Sequence, residues 1–571
     1  MQKNSREFLG GVWKLLKSYW CSEEKWKARG LLLVVVLLNL GIVYTLVKIN
    51  DWYKVFYDLL QNYEQSQFWT QIGVFLFWAF LYIIMAVYAL YLRQVLQLSW
   101  RNWLTKNYLT KWLGKQSYYK IQLLGSAEDN PDQRISEDIN LFADLTLQLT
   151  LGFLREAVTL GAFIMILWNL SGLWHISLGG IELKIPGSMV WLSLAYALVG
   201  TILTVKIGKP LVRLNYQQQR KEADFRFSMM RLRENSESIA FYQGEGKEKQ
   251  GLKQHFIKVY DNFIELIKAE KRLTWFVSGY GQLAVIFPLI MAAPRYFAKE
   301  IQLGGLMQIS SAFGRVQDSL SFIIDSYSGI AQWQSVCARL IDFVNHIEEV
   351  EKIKSEVRYG SSDNLLISNL NVKLPCGEQL TDNLSLELKK GDYLLITGRS
   401  GQGKSTLLRL ISGIWPFGSG EVKMPENSLF LSQRAYLPQG SLRDALLYPV
   451  KKEVSPAEIE AVLEKCRLEQ FLPMLDKVDD WSHILSLGEQ QRLAFARILI
   501  QKPELVFLDE ATSALDEPTE KHMYKLLNTE LPLISVISVG HRGTLFDFHD
   551  LQLNLAGKGK WYLESILNND V

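Results

Sequence analysis

The sequence predicts an α-helical membrane domain with six transmembrane helices, followed by an α/β domain of the P-loop type. Three observations predict it. Long uncharged apolar runs fill the first half of the 571 residues, and a glycine-rich loop stands between a strand pattern and a helix pattern in the second. The third is composition: 48% of residues are apolar and 12% aromatic, 17 of them Trp, which exceeds most soluble enzymes and suits a membrane interface. The chain is too long for one core, and a boundary at 350 divides it into a membrane domain, 1–350, and a second domain, 351–571. The net charge of +3 gives no sign of a nucleic-acid partner, and none is expected. Cys21, Cys337, Cys376 and Cys466 show no metal-ligand spacing and read as free thiols in a reducing cytoplasm.

The first 29 residues are basic and place Phe8, Val12, Leu15 and Tyr19 at helical spacing opposite Lys3, Lys14 and Lys17, a face suited to the lipid headgroup region. Leu31–Val47 carries no charge and precedes no small-residue cleavage pattern, so it reads as a retained span. Phe68–Leu92, Ile185–Val205 and Leu273–Pro294 are also uncharged, whereas 145–169 and 303–327 are long enough but carry ionisable groups. Six spans put both ends on one side. Segment 93–140 holds seven Lys and Arg and 206–272 holds fifteen, against two in 48–67 and one in 170–184, so the basic segments and both ends are expected in the cytoplasm. Their helical patterning extends the membrane helices into that compartment, and a charged stretch, 345–363, links to the second domain.

The loop of that domain is Gly398-Arg399-Ser400-Gly401-Gln402-Gly403-Lys404-Ser405-Thr406, after the apolar strand Tyr393–Thr397 and before the helical Leu407–Ile411. Glycines let the backbone wrap phosphates, Lys404 reaches them as a point charge, and the Ser405 hydroxyl can ligate Mg2+. Gln433 follows, placed to sense the metal and the attacking water. Leu485-Ser486-Leu487-Gly488-Glu489-Gln490-Gln491-Arg492 opens an apolar helix, and Ser486, Gly488 and Glu489 there suit a second phosphate contact. The strand Leu505–Leu508 ends in Asp509-Glu510, where Asp509 suits the metal and Glu510 can polarise water for in-line attack. Ser513-Ala514-Leu515-Asp516 comes next, and His541 follows the strand Ile534–Ser538.

Taken singly, each of these has a plain structural reading; their order and spacing resemble the ATP-binding cassette family. The resemblance covers about 365–550 and implies ATP and Mg2+ as cofactors, Glu510, His541 and Gln433 as catalytic residues, and Ser405, Gln433 and Asp509 around the metal. It also implies an exporter-type fold, and a half transporter whose two cassettes pack head to tail in a homodimer. Asn130-Pro131-Asp132-Gln133-Arg134-Ile135-Ser136-Glu137-Asp138, Arg233–Tyr242 and Gly413-Ile414-Trp415-Pro416 are similar to motifs of subfamily D, which includes peroxisomal fatty-acyl transporters and bacterial relatives with an SbmA/BacA-like membrane domain. The first two would touch the cassettes and transmit closure.

The expected partners are membrane lipid, a second copy and a cargo, and the expected location is a bacterial inner membrane with the cassette in the cytoplasm. Fatty-acyl, peptide-like and corrinoid cargoes all fit the resemblance, and a cassette ATPase that gates a membrane partner without carrying cargo stays open beside them. No aromatic residue lies between Tyr359 and Tyr393, so the ring on which many cassettes stack adenine is missing. In the sixth span Ser311, Arg315, Asp318 and Asp325 share one helical face. Arg315 and Asp318 can pair locally, and the stripe either faces cargo or makes a structural pair with Arg155 or Glu156.

Overall fold

The computed structural model describes residues 5–123, 130–171, 174–178, 181–353, 355–449 and 454–566. The chain forms two compact units, Met1–Lys111 with Asp129–Asn345, and Trp112–Glu128 with His346–Val571.

The first unit is helical. Helix α1 (Ser5–Trp20) precedes α2 (Lys25–Gln61) and α3 (Gln65–Leu113), and the latter two run well past their apolar stretches. After α4 (Ser117–Leu123), which belongs to the second unit, come a short α5 (Pro131–Gln133), a π-helical turn (Arg134–Asp138) and α6 (Ile139–Leu170). Strands β1 (Trp174–Leu178) and β2 (Ile181–Ile185) pair antiparallel in the connection that follows. Helices α7 (Ser188–Glu234) and α9 (Glu245–Phe297) flank the short α8 (Ser236–Phe241), and α10 (Leu303–Asp325) and α11 (Tyr327–Lys352), up to Asn345, complete the unit. The basic segments do lengthen the membrane helices: α3, α7 and α9 have 49, 47 and 53 residues.

Aromatic and polar locks join these helices. Tyr196 Oη donates to the Tyr280 carbonyl at 2.6 Å and Tyr280 Oη to the Tyr196 carbonyl at 2.7 Å, their rings stacked, so α7 and α9 are pinned by a reciprocal pair. The first amide groups of α10 are satisfied by α2, Leu303 N donating to Gln61 Oε1 (2.6 Å) and Gly304 N to Asp58 Oδ1 (2.8 Å). Phe163, Leu167, Ala292, Ile309, Phe313 and Val316 meet in the centre of the bundle.

Two expectations change. The face of α1 bearing Val12, Leu15 and Tyr19 is buried against protein, Tyr19 stacking on Trp100 at 5.6 Å, so it does not lie in headgroups. A helix with one apolar stripe suits either surface, and here neighbouring helices cover it. Among the described residues five helical stretches, Lys25–Gln61, Gln65–Leu123, Pro131–Leu170, Ser188–Glu234 and Glu245–Phe297, are long and apolar enough to cross a membrane. The sixth, α10, falls short on apolarity because one of its faces is charged, but at about 34 Å it has the length to cross.

The second unit is built on two sheets. Strands β3 (Glu356–Ser361), β4 (Leu365–Lys373), β5 (Gln379–Leu388) and β7 (Gly418–Met424) form one, in the order β3-β7-β4-β5. The other has the order β14-β13-β6-β12-β11-β8, from β6 (Tyr393–Gly398), β8 (Ser428–Leu431), β11 (Leu505–Asp509), β12 (Ser535–Val539), β13 (Leu551–Gly557) and β14 (Lys560–Ser565); the four pairings from β13 to β8 are parallel and β14 joins antiparallel. Alternate side chains serve opposite faces: Leu395, Val506, Leu508 and Val536 pack into one core, and Leu394, Ile396, Phe507 and Ile537 into the other. Helix α12 (Lys404–Ile411) lies in the second core, and α13 (Leu442–Leu447), α14 (Pro456–Lys465), α15 (Trp481–Ile484), α16 (Leu487–Gln501) and α17 (Glu517–Glu530) in the first, where the short strands β9 (Gly440–Ser441) and β10 (Val478–Asp479) also pair with each other.

Candidate functional site

In a parallel sheet the carboxyl ends of the strands share one edge, and ligands bind there. The loop and three expected residues reach that edge by this route: the loop follows β6, Gln433 follows β8, Asp509 ends β11, and His541 follows β12. The loop turns through left-handed backbone at Gly401 (φ 84°) and Gly403 (φ 89°). At Gly403 the left-handed backbone would strain any other residue, and a Cβ there would also crowd the Leu380 side chain at 2.7 Å. The side chain of Gln402 braces the loop from inside, its Oε1 accepting from Arg399 N at 2.7 Å.

Lys404 is 6% exposed, and its Nζ donates to the carbonyls of Gly398 (2.9 Å) and Arg399 (3.2 Å), so the cation stands at the mouth of the loop. Burial pulls its ammonium below the usual lysine range, against the opposing pull of Glu510 and Asp509. Ser405 Oγ donates to Asp509 Oδ1 at 3.0 Å. Burial pushes the Asp509 carboxyl up, and the Ser405 hydrogen bond opposes the shift. These are two hard oxygen donors side by side. They fit Mg2+, which takes few protein ligands and keeps water and phosphate oxygens for the rest.

Glu510 is next to this pair. Its Oε2 accepts from Gln433 Nε2 at 2.8 Å, and its Oε1 is 3.9 Å from His541 Nε2. Its backbone is left-handed (φ 52°), an uncommon state for a residue other than glycine, and its amide donates to Val539 of the next strand at 3.0 Å. The turn aims the carboxylate into the space bounded by Gln433 and His541.

Ser486, Gly488 and Glu489 are not joined to this cluster. Ser486 caps α16, and Glu489 Oε2 accepts from the Ser486 amide (2.9 Å) and hydroxyl (2.8 Å) in a capping box. Among the described residues no hydrogen bond of these three reaches the phosphate loop. Gly488 passes close to the segment after Glu510, and a Cβ there would lie 3.3 Å from the Ala514 carbonyl.

Sequence reasoning missed the residues that hold this edge together. Gln491, 4% exposed, accepts from Ala514 N at 2.9 Å and donates to Ser513 Oγ and the Gln433 carbonyl, both at 3.2 Å. Arg542 donates to the carbonyls of Leu515 (2.6 Å) and Ser513 (2.8 Å). Behind it Glu520, fully buried, accepts from Thr512 and Thr544 hydroxyls, both at 2.6 Å, and lies 3.8 Å from the Arg542 guanidinium. The available signal was slight: Arg542 merely follows His541, and Glu520 reads as an ordinary first-turn acid.

Comparison with known proteins settles the family. The profile "ABC transporter transmembrane region 2" matches residues 15–297 and "ABC transporter" matches 381–513. An "Uncharacterized ABC transporter ATP-binding protein" of Haemophilus influenzae is 39% identical, covering 93% of this chain and 89% of the relative. The chain belongs to the ABC transporter family. This ABC transporter is also 34% identical to "ABC transporter D family member 2, chloroplastic" of Arabidopsis thaliana, over 97% of the chain and 88% of that protein. Its fold is similar to the solved structure of a bacterial Atm1-family ABC exporter with ATP bound, at a TM-score of 0.72 and 17% identity, covering 95% of this chain and 96% of the other. The transporter is therefore an ATPase coupled to movement across a membrane, with D-family proteins among its relatives.

Proposed function

We propose that two copies of the chain form a homodimer whose cassettes close head to tail on two ATP molecules, and that closure drives alternating access through the membrane helices. The phosphate loop from Gly398 to Thr406 wraps the triphosphate, with Lys404 released from its carbonyls to the terminal phosphates. Ser405 and Asp509, with Gln433 beside them, hold Mg2+, which when bound screens the phosphate charge. Glu510 takes a proton from the attacking water as general base. Gln433 and His541 fix the carboxylate and the water in line with the terminal phosphorus. Ser486, Gly488 and Glu489, apart from the loop of their own cassette, close over the nucleotide of the other copy, and this is why a second copy is required.

The observation that carries the reading is the convergence at one sheet edge, with Ser405 at 3.0 Å from Asp509 and Gln433 at 2.8 Å from Glu510. The excess of Lys and Arg in the helix extensions supports a cytoplasmic side for them and for the cassette, and a 31% identical relative, "Inner membrane ABC transporter ATP-binding protein YddA" of Escherichia coli, supports an inner-membrane location. The test is Glu510→Gln in reconstituted protein. ATP binding should persist while turnover falls by about a thousandfold, and the variant should collect as a closed ATP-bound dimer. Retention of more than about a tenth of the rate would exclude Glu510 as the base.

A further inference from the structure

The sixth membrane helix carries charges that the cassette mechanism does not use. Ile309, Ala312, Phe313 and Val316 of α10 are fully buried in the bundle, whereas Arg315 and Asp318, on another face, are exposed. Arg315 is twelve residues into the helix from Leu303, about 18 Å along its axis, so both charges fall in the middle of a hydrocarbon layer about 30 Å thick. Charges at that depth do not face lipid; they face water or a polar partner.

The expected local partners are otherwise engaged. Arg155 and Glu156 of α6 pair with each other at 3.0 Å, and Glu156 Oε2 accepts from Ser319 of α10 at 2.9 Å. Arg315 and Asp318 do not reach ion-pair distance of one another, and among the described residues no hydrogen bond or ion pair claims either. The two opposite charges sit about 5 Å apart along the axis, one turn. Asp325 is two turns farther, about 11 Å, beyond the reach of the same small ligand.

We infer that this face of α10 is a cargo site for a zwitterion, whose anionic end meets Arg315 and whose cationic end meets Asp318. The inference rests on the transport reading above and deepens it. Arg315 and Asp318 act on each other only across the turn, so an apolar cargo would leave both without a hydrogen-bonded counter-ion and a singly charged cargo would leave one, each at a desolvation cost. A zwitterion with its charges about 5 to 10 Å apart, the reach of two or three extended residues, satisfies both.

The test uses the full-length protein in lipid nanodiscs, with dialanine, trialanine and 6-aminohexanoate as probes beside their N-acetyl and C-amide forms. The zwitterions should stimulate ATP hydrolysis, and blocking either end should weaken half-maximal stimulation at least about tenfold. Arg315→Gln should abolish the penalty for amidation but keep that for acetylation, and Asp318→Asn should do the reverse, with basal hydrolysis unchanged in both. Should either variant fail to fold, Arg315→Lys and Asp318→Glu keep the charge and must keep the preference. Stimulation by none of the three zwitterions, or equal stimulation by blocked forms, overturns the assignment. So does recovery of single-variant losses by the swapped pair R315D/D318R without regard to blocked ends, which would mean the charges meet those of the second copy. Failure of the transport reading would look different: no basal hydrolysis in the parent protein, or no ATP retained by Glu510→Gln.

Discussion

Arg339 of α11 grips Asp138 with two hydrogen bonds, Nη2 to Oδ1 at 2.6 Å and Nε to Oδ2 at 2.8 Å, while Arg134 Nη1 reaches Oδ2 at 2.9 Å. Asp138 is 2% exposed and closes the π-helical turn that leads into α6. The motif expected to touch the cassettes thus spends its last carboxylate on tying the entry of α6 to α11. Removing the guanidinium leaves a buried carboxylate short of charge. Arg339→Ala should lower stability by about 3 kcal/mol, and Asp138→Ala, which strips both Arg339 and Arg134 of their carboxylate, should lower it at least as far; thermal unfolding in detergent reads both.

Arg542 should matter to turnover more than to nucleotide binding. It supplies donors to the carbonyls of Ser513 and Leu515, in the segment after Glu510 rather than in the phosphate loop. Arg542→Ala should cut kcat about tenfold with KM for ATP nearly unchanged, and Arg542→Lys, which cannot fork between two carbonyls, should recover only part. A rise in KM with kcat intact would show that the segment positions nucleotide instead.

Base selectivity should be weak. Tyr359, before the stretch that lacks aromatic residues, donates its hydroxyl to the Leu410 carbonyl at 2.7 Å, tied to the far end of α12 from the loop. With no ring there to stack on a base, GTP should inhibit ATP hydrolysis with a constant within about thirtyfold of that for ATP, about 2 kcal/mol. A larger preference would mean that another side chain supplies the platform.

Mild acid should loosen the cassette through His549. Its ring is buried, with Nε2 at 2.8 Å from Ser538 Oγ and Nδ1 at 2.6 Å from the Leu545 carbonyl, and burial pulls its pKa from 6.5 to about 4. The unfolded chain takes up the proton first as pH falls. The contribution is complete above the ordinary value of 6.5 and is lost progressively as pH drops toward 4, by up to about 3 kcal/mol. Melting temperatures between pH 7.5 and 4.5 should show this fall, and His549→Gln should flatten it.

The nucleotide edge was legible because its chemistry is local in sequence: a glycine loop needs a strand before it and a helix after it, and both patterns are adjacent to it. Long apolar helices were legible for a similar reason. What could not be read were contacts made between a side chain and backbone far along the chain, such as Gln491 with Ala514 or Arg542 with Ser513. Nothing in composition marks a glutamine or arginine for such a duty. The α1 stripe and the α10 charges failed differently: periodicity says that a face is apolar or charged, and only packing says what covers it.

Glu510 sits where evolution and engineering pull apart. A side chain held at φ 52° costs about 1 to 2 kcal/mol that glycine would not incur. Glu510→Gly should therefore melt higher than the parent while hydrolysing almost nothing. A library sorted on thermostability alone would enrich that substitution and discard the carboxylate proposed as the base, so selection for a sturdier transporter must be run under a demand for turnover.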